Sequence, residues 1–275
     1  MDNEEIEVKV LIDAVKLKYG YDFSDYADAS LTRRVKKSMD EASLTKVSEL
    51  IPHILYDKDF FHAFFLNLSV NVTEMFRDPL FFLALREKVI PYLKTFPFVK
   101  IWSAGSSTGE EVYSLAILLK EEGLYEKSMI YATDFNDVVL DIAKKGIYSI
   151  DSIKKNTLNY QKSGGKTSFG NYYHADYDLA IFDKALKENI VFANHNLVTD
   201  EMFGEMNLIL CRNVLIYFNM DLQDRVFTLF KNSLRPNGFL ALGSRETIEF
   251  STIASEFVPT VKERKIYQKK QVYKK

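Results

Sequence analysis

Apolar residues recur at helical spacing through the first 68 positions of the chain. Val8, Leu11, Ile12, Val15 and Tyr19 share one face, as do Leu31, Val35 and Met39, then Leu50 and Ile54, then Phe60, Phe61, Phe64, Phe65 and Leu68. No two-residue alternation interrupts them, so the pattern predicts an all-α domain over residues 1–68. A linker over 69–92 follows, with Asp78 as an N-cap and Pro79 at the first position of a helix reaching about Tyr92. From residue 93 strands and helices alternate. Strand patterns lie at 98–103, 129–133, 207–211 and 239–242, and helical patterns at 108–120, at 137–145 up to Gly146, and at 222–234 before Pro236. Such alternation predicts an α/β domain over 93–275, a doubly wound, Rossmann-like parallel sheet covered on both faces. Between about 150 and 195 the alternation breaks. Ser163-Gly164-Gly165, Phe169-Gly170 and the β-prone runs at 172–177 and 190–193 read as a small β-subdomain insertion. Ile266 and Tyr267 suggest a last strand before a lysine-rich tail.

Composition narrows the classes. The 275 residues carry 36 Lys+Arg and 38 Asp+Glu, a net charge of −2, which argues against a protein that coats nucleic acid. The first 68 residues net −4 and the remainder +2, yet Arg33, Arg34, Lys36 and Lys37 cluster on one predicted helix. Cys211 is the single cysteine, so an intrachain disulfide and a thiolate zinc site are both excluded, and His53, His62, His174 and His195 lack ligand-like spacing. No metal is expected. No apolar run approaches the roughly 18 residues of a membrane span, and the acidic start lacks a signal-peptide pattern, so a cytoplasmic location without membrane insertion is expected.

The candidate chemistry sits where the first strand meets its helix, in Ile101-Trp102-Ser103-Ala104-Gly105-Ser106-Ser107-Thr108-Gly109-Glu110-Glu111. Small residues there let the backbone approach a ligand at the carboxyl ends of the strands, although they could also simply make a tight turn. Gly105 to Gly109 fits the nucleophile-elbow pattern around Ser107, but no histidine follows late enough to serve as its base. A phosphate loop fails because no lysine follows Gly109, and Gly165-Lys166-Thr167 has Tyr160 where the first glycine belongs. Glu110 and Asp134, acids at the ends of the first two strands, suit a ligand with a free ribose, no phosphates and a positive charge. S-adenosylmethionine has these features. Asp134 could equally be a helix N-cap.

Four segments occur in one order: Asn71-Val72-Thr73-Glu74-Met75-Phe76-Arg77-Asp78-Pro79, then Trp102 through Ser114, then Ala132-Thr133-Asp134, then Cys211-Arg212-Asn213-Val214-Leu215-Ile216-Tyr217-Phe218. Together they resemble the CheR-type chemotaxis receptor methyltransferases over almost the whole chain. The resemblance implies a protein-glutamate O-methyltransferase. It would use S-adenosyl-L-methionine, release S-adenosyl-L-homocysteine, and form γ-glutamyl methyl esters on chemoreceptors in chemotaxis adaptation. It implies cofactor contacts at Asn71, Thr73, Arg77, Glu110, Asp134 (ribose), Asn196 and Leu197 (adenine), Arg212 and Asn213. Arg77 and Tyr217 would be the catalytic pair. The partner implied is the cytoplasmic helical domain of chemoreceptors, met through Arg33, Arg34, Lys36, Lys37 and the β-subdomain. Other roles stay open: Tyr217 as a core residue, Arg77 paired with Asp78 or Glu74, Asn213 as a turn residue. Val112 stands where the family more often has Pro, and Ser106 where it often has Cys. Gly243-Ser244-Arg245-Glu246 replaces G-x-S-E, which would put Arg245 near the site. A module that binds the donor without catalysis is the alternative from another class, and a serine hydrolase the third.

Overall fold

A computed structural model describes residues 2–68 and 73–271. The described chain divides into two compact units: one holds residues up to 68 together with Tyr217–Gln223, the other runs from 73 to Ile216 and from Asp224 to 271.

The first unit is helical: α1 (Asn3–Tyr19), α2 (Asp28–Glu41), α3 (Leu50–Tyr56) and α4 (Lys58–Leu68). A capping box opens α1, with Asp2 accepting from the Glu5 amide at 2.8 Å and Glu5 accepting from the Asp2 amide at 3.0 Å. The predicted stripe Val8, Leu11, Ile12 and Val15 is buried, as are Phe61, Phe64, Phe65 and Leu68 of α4. Tyr19 stacks on Phe61 with ring centroids 3.5 Å apart, and its hydroxyl donates to the Ile54 carbonyl. The segment from Tyr217 returns to this unit through Ala27 N–H donating to Tyr217 O at 2.8 Å and Asn219 N–H to Asp25 O at 2.9 Å.

The basic cluster on α2 corrects one expectation. Arg34 does not lie on an exposed face; it is buried, donating to Leu68 O with its guanidinium 4.2 Å from the centre of the Tyr217 ring. The helical period makes this necessary, because Arg34 follows Leu31 by three residues on the stripe that faces inward. Arg33, Lys36 and Lys37 instead border a cleft of about 1100 Å³ between α1 and α2, where Glu4, Asp28 and Asp40 interleave with them. Lys36 pairs with Glu4 at 2.7 Å and Lys37 with Glu41 at 3.6 Å.

The second unit opens with α5 (Pro79–Ala84), a π-helical turn (Leu85–Val89) and α6 (Ile90–Leu93). There follow β1 (Val99–Ala104), α7 (Glu110–Glu121), β2 (Ser128–Asp134), α8 (Asp137–Lys145), β3 (Ile147–Ser149), α9 (Ile150–Lys162), β4 (Tyr173–Asp176), β5 (Leu179–Phe182), β6 (Ile190–Asn194), β7 (Met206–Cys211), α10 (Met220–Ser233), β8 (Leu234–Leu242), β9 (Phe257–Val261) and β10 (Ile266–Lys269). The main sheet has the order β6-β2-β1-β7-β8-β10-β9, parallel from β6 to β8 and antiparallel at β10 and β9. Met206–Cys211 is buried throughout, as a central parallel strand must be, and α7 buries every residue from Val112 to Leu119.

The insertion differs in composition from the expectation. Ile150–Lys162 is a helix, because Ile150, Ile153, Asn156 and Tyr160 put one buried stripe at helical spacing. The strand at 190–194 belongs to the edge of the main sheet, pairing in parallel with β2. What remains is a small antiparallel sheet, β3-β5-β4. Strand β9 carried no clear signal because Pro259 interrupts it, a residue tolerated at a sheet edge, which is where β9 lies.

An ion cluster closes the end of α7 opposite to its glycine turn. Arg86 holds Glu121 at 2.7 Å and Glu122 at 2.8 Å, while Lys166 and Lys94 reach Glu122 at 2.8 and 3.2 Å. Burial opposes the Glu122 charge, but the bonds from Lys166, Arg86 and Lys94 prevail and lower its pKa to about 2. A depressed carboxyl contributes stability above its unfolded value, and that stability is lost as pH falls through the folded value. Glu122→Gln should therefore lower Tm at pH 7 by about 2–6 °C, with the gap to wild type closing as pH drops from about 4.5 towards 2. Thermal melts across that range check it, and equal Tm at pH 7 would contradict it.

Candidate active site

The strand order changes direction between β1 and β7, so the crevice at their carboxyl ends is a topological switch point. The turn after β1 is pinned there. Gly105 and Ser106 N–H both donate to Thr133 O, at 2.8 and 2.9 Å, and Trp102 Nε1 donates to Thr133 Oγ1 at 2.8 Å. Two glycines are demanded by space as well as backbone. Gly105 has φ 73° and a Cβ there would lie 2.5 Å from Val214 Cγ2; Gly109 has φ 97° and its Cβ would lie 2.8 Å from Ala143 Cβ.

Asp134 closes β2 beneath this turn. One carboxylate oxygen accepts from Ser107 N–H at 2.9 Å and the other from Asn136 N–H at 3.1 Å. The N-cap of α8 is Asn136, which accepts from Val138 N–H at 3.0 Å, so Asp134 is not that cap. Glu110, the first residue of α7, accepts from Thr108 Oγ1 at 2.6 Å. Neither carboxylate has an ion-pair partner among the described residues. Burial pushes both pKa values up, against the donors at each group. Ser106 Oγ is buried here without a hydrogen-bond partner. One buried and one partly buried acid with spare lone pairs and no cation form an acceptor set suited to hydroxyls and positive charge, and unsuited to phosphate. S-adenosylmethionine fits that set.

The loop after β6 adjoins Asp134 through the backbone, His195 N–H donating to Asp134 O at 3.1 Å. Asn196 and Leu197 follow directly, partly exposed, with Asn196 Oδ1 accepting from Val198 N–H at 2.9 Å. The His195 ring lies in an aromatic setting with Trp102 and Phe203, its Nε2 3.2 Å from Glu201 O.

Arg212, at the end of β7, is committed inside the protein. It bonds Glu111 at 2.8 Å and Asp78 at 2.7 Å, donates to Arg77 O at 3.2 Å, and stacks 3.9 Å over the Phe81 ring. Asp78 thus starts α5 from a left-handed conformation, φ 56°, with its side chain turned to Arg212 instead of capping the helix. Asn213 is left-handed at φ 62°. Thr73 and Arg77 are partly exposed in the same unit, while Asn71 lies outside the described residues. Tyr217 is half-buried in the helical unit, with the Arg34 guanidinium over its ring. Arg245 is exposed. Sequence reasoning gave no role to Glu111, Val214 and Glu246, although all three stand inside the quoted segments; nothing there reveals their partners. Among the described residues no His, Cys, Asp or Glu cluster could hold a metal ion, and no helix is long and apolar enough to cross a membrane.

A doubly wound sheet with a glycine turn over a buried acid at its switch point is a nucleoside-binding frame, and acids without a phosphate site point within it to the S-adenosylmethionine-dependent methyltransferases. Residues 71–263 match the CheR methyltransferase SAM binding domain and residues 6–69 the CheR methyltransferase all-alpha domain, so the chain belongs to the CheR methyltransferase family. It is 49% identical to Cher3 of Pseudomonas putida over 267 residues, covering 97% of this chain and 98% of that protein. A chemotaxis protein methyltransferase of Listeria innocua is 31% identical over 239 residues, covering 85% and 87% of the two chains. Chemotaxis protein methyltransferase 1 of Vibrio cholerae is 30% identical over 234 residues, covering 82% and 83%.

Asp134→Asn replaces one acceptor oxygen with a donor facing a backbone N–H, and should weaken donor binding about 10–100-fold, the value of one or two charge-assisted hydrogen bonds. Equilibrium dialysis with labelled donor measures this, and wild-type affinity in the variant would contradict the assignment.

Proposed function

We propose that this chain methylates glutamate side chains of chemoreceptors in the cytoplasm, forming γ-glutamyl methyl esters. S-adenosyl-L-methionine supplies an electrophilic methyl group, leaving S-adenosyl-L-homocysteine. The observation that carries the reading is the buried Asp134 carboxylate, bound by backbone amides and by no cation among the described residues, at the switch point of a CheR-family fold.

Asp134 would hold the ribose hydroxyls, Glu110 a cationic group, and Asn196 with Leu197 the adenine. Asn71, Thr73, Arg77, Arg212 and Asn213 would complete the cofactor contacts. For Arg212 that contribution would be indirect, since its guanidinium bonds Glu111, Asp78 and the Arg77 carbonyl.

The reaction needs no general base. A glutamate with a reference pKa of about 4.3 is ionised at neutral pH, so the nucleophile arrives ready. An anion and a sulfonium become a neutral ester and a neutral thioether. Charge disappears along the path, and water, which solvates separated charges, opposes it. The residues therefore act by orientation and by limiting water. Arg77 orients the incoming carboxylate, and Tyr217 donates a hydrogen bond near the methyl in flight. Too strong a pairing by Arg77 would stabilise the ground state, so its contribution lies in alignment.

Recognition draws on Arg33, Lys36 and Lys37, with Arg34 set aside by its burial. Methyl acceptors flanked by acids favour an electrostatic docking face, and the β-subdomain offers a second surface.

Incubation with labelled donor and receptor-containing membranes should deposit base-labile methyl groups, as esters are. Label that withstands base, or none, would contradict glutamate methylation. Tyr217→Phe and Arg77→Ala should lower the single-turnover rate by about tenfold or more, as losses of orientation do. Wild-type rates in both variants would remove those two assignments. Reversing Arg33 and Lys37 to Glu should slow receptor methylation several-fold at low salt and flatten its salt dependence. Identical salt profiles for variant and wild type would exclude the docking face.

A further inference from the structure

One side chain from far along the chain grips the loop that leaves β7. Glu246 is 4% exposed, and its carboxylate accepts four backbone N–H groups. Gly243 and Asn213 donate to Oε2 at 2.6 and 3.0 Å; Val214 and Leu215 donate to Oε1 at 2.9 and 2.8 Å. Three of these amides are consecutive, and the left-handed Asn213 curls them into a concave nest that fits an anion. A tight turn supplies the anion: Glu246 N–H donates to Gly243 O at 3.0 Å, which sends Ser244 and Arg245 outward and Glu246 inward.

The packing leaves little freedom on either side. A Cβ at Gly243 would lie 2.7 Å from Glu246 Oε2 and 2.8 Å from Asn213 N. On the other side Val214 fills the space that a side chain at Gly105 would need. A path of contacts therefore runs from Glu246 through the amides of 213–215 and the Val214 side chain to the glycine turn above Asp134. No neutral side chain reproduces the nest, because a glutamine would aim its NH₂ at two of the four N–H groups.

We propose that Glu246 is a positioning residue for methyl transfer, its carboxylate fixing the Asn213–Leu215 loop against the Gly105 turn. The inference rests on the function proposed above for this site. It assigns to the last residue of Gly243-Ser244-Arg245-Glu246 a role that its place in the sequence did not reveal.

The test compares wild type, Glu246→Gln, Gly243→Ala and a destabilised control, Leu119→Ala, all well below their Tm values. Hydrogen exchange at the amides of 213–215 and single-turnover methyl transfer are read together, with S-adenosylhomocysteine binding by calorimetry. Glu246→Gln should lose exchange protection at 213–215 by at least tenfold and lose about 10–100-fold in rate, as displaced reacting groups do. Leu119→Ala should keep its rate within about twofold, which separates positioning from stability. A Glu246→Gln rate within about twofold of wild type, or unchanged protection at 213–215, overturns the proposal. Should Glu246→Gln fail to fold, Gly243→Ala reaches the same nest from outside and decides by the same criteria. Wild-type protein that neither binds S-adenosylhomocysteine nor transfers methyl would defeat the proposed function instead, while the exchange data would still decide whether Glu246 holds the loop.

Discussion

The site is built around charge that the fold buries without neutralising. Asp134 and Glu110 lie in one unit, Asp134 closing β2 and Glu110 opening α7, and burial raises both pKa values. Removing a carboxylate from water is costly unless hydrogen bonds or a cation compensate. Here the compensation is partial, from backbone amides at Asp134 and a threonine hydroxyl at Glu110. A ligand with hydroxyl donors and a positive charge completes it. Affinity for such a ligand is then part of the same free-energy balance that folds the sheet.

Rigid surroundings make that balance useful. The turn holding the acids is fixed by two amides on Thr133 O and by glycines with no room for a Cβ. Arg212 ties Glu111, Asp78 and the Arg77 carbonyl into one cluster, so residues near 77, 111 and 212 have fixed relations within their unit. For a reaction that needs no base and destroys charge, alignment is what the protein has to supply. The polar groups invested here serve geometry more than proton transfer.

Periodicity made most of the architecture legible. The helical stripes of residues 1–68 and the strand–helix alternation after residue 93 correspond to elements in the structure. Failures arose where two physical signals competed. Ile150 to Lys162 lies beside glycine turns and β-prone runs, which masked its helical stripe. Pro259 hid an edge strand. Arg34 looked like part of a basic surface because charge was read without the helical phase that buries it. At the site, Asp134 and Glu110 could be singled out because ligand chemistry constrains their type and place. Glu111 and Glu246 could not, since their partners, Arg212 and the amides of 213–215, are brought to them only by the folded sheet.

The central claim is that under-compensated carboxylates, Asp134 buried and Glu110 partly so, receive the donor. Calorimetric titration with S-adenosylhomocysteine, repeated from neutral to acid pH, tests it most directly. Burial raises the pKa of both acids in the free protein and ligand contacts favour their ionised forms, so wild-type protein should bind at neutral pH and lose affinity as the pH falls. Absence of binding at millimolar ligand, or affinity that rises as the acids are protonated, would contradict the account.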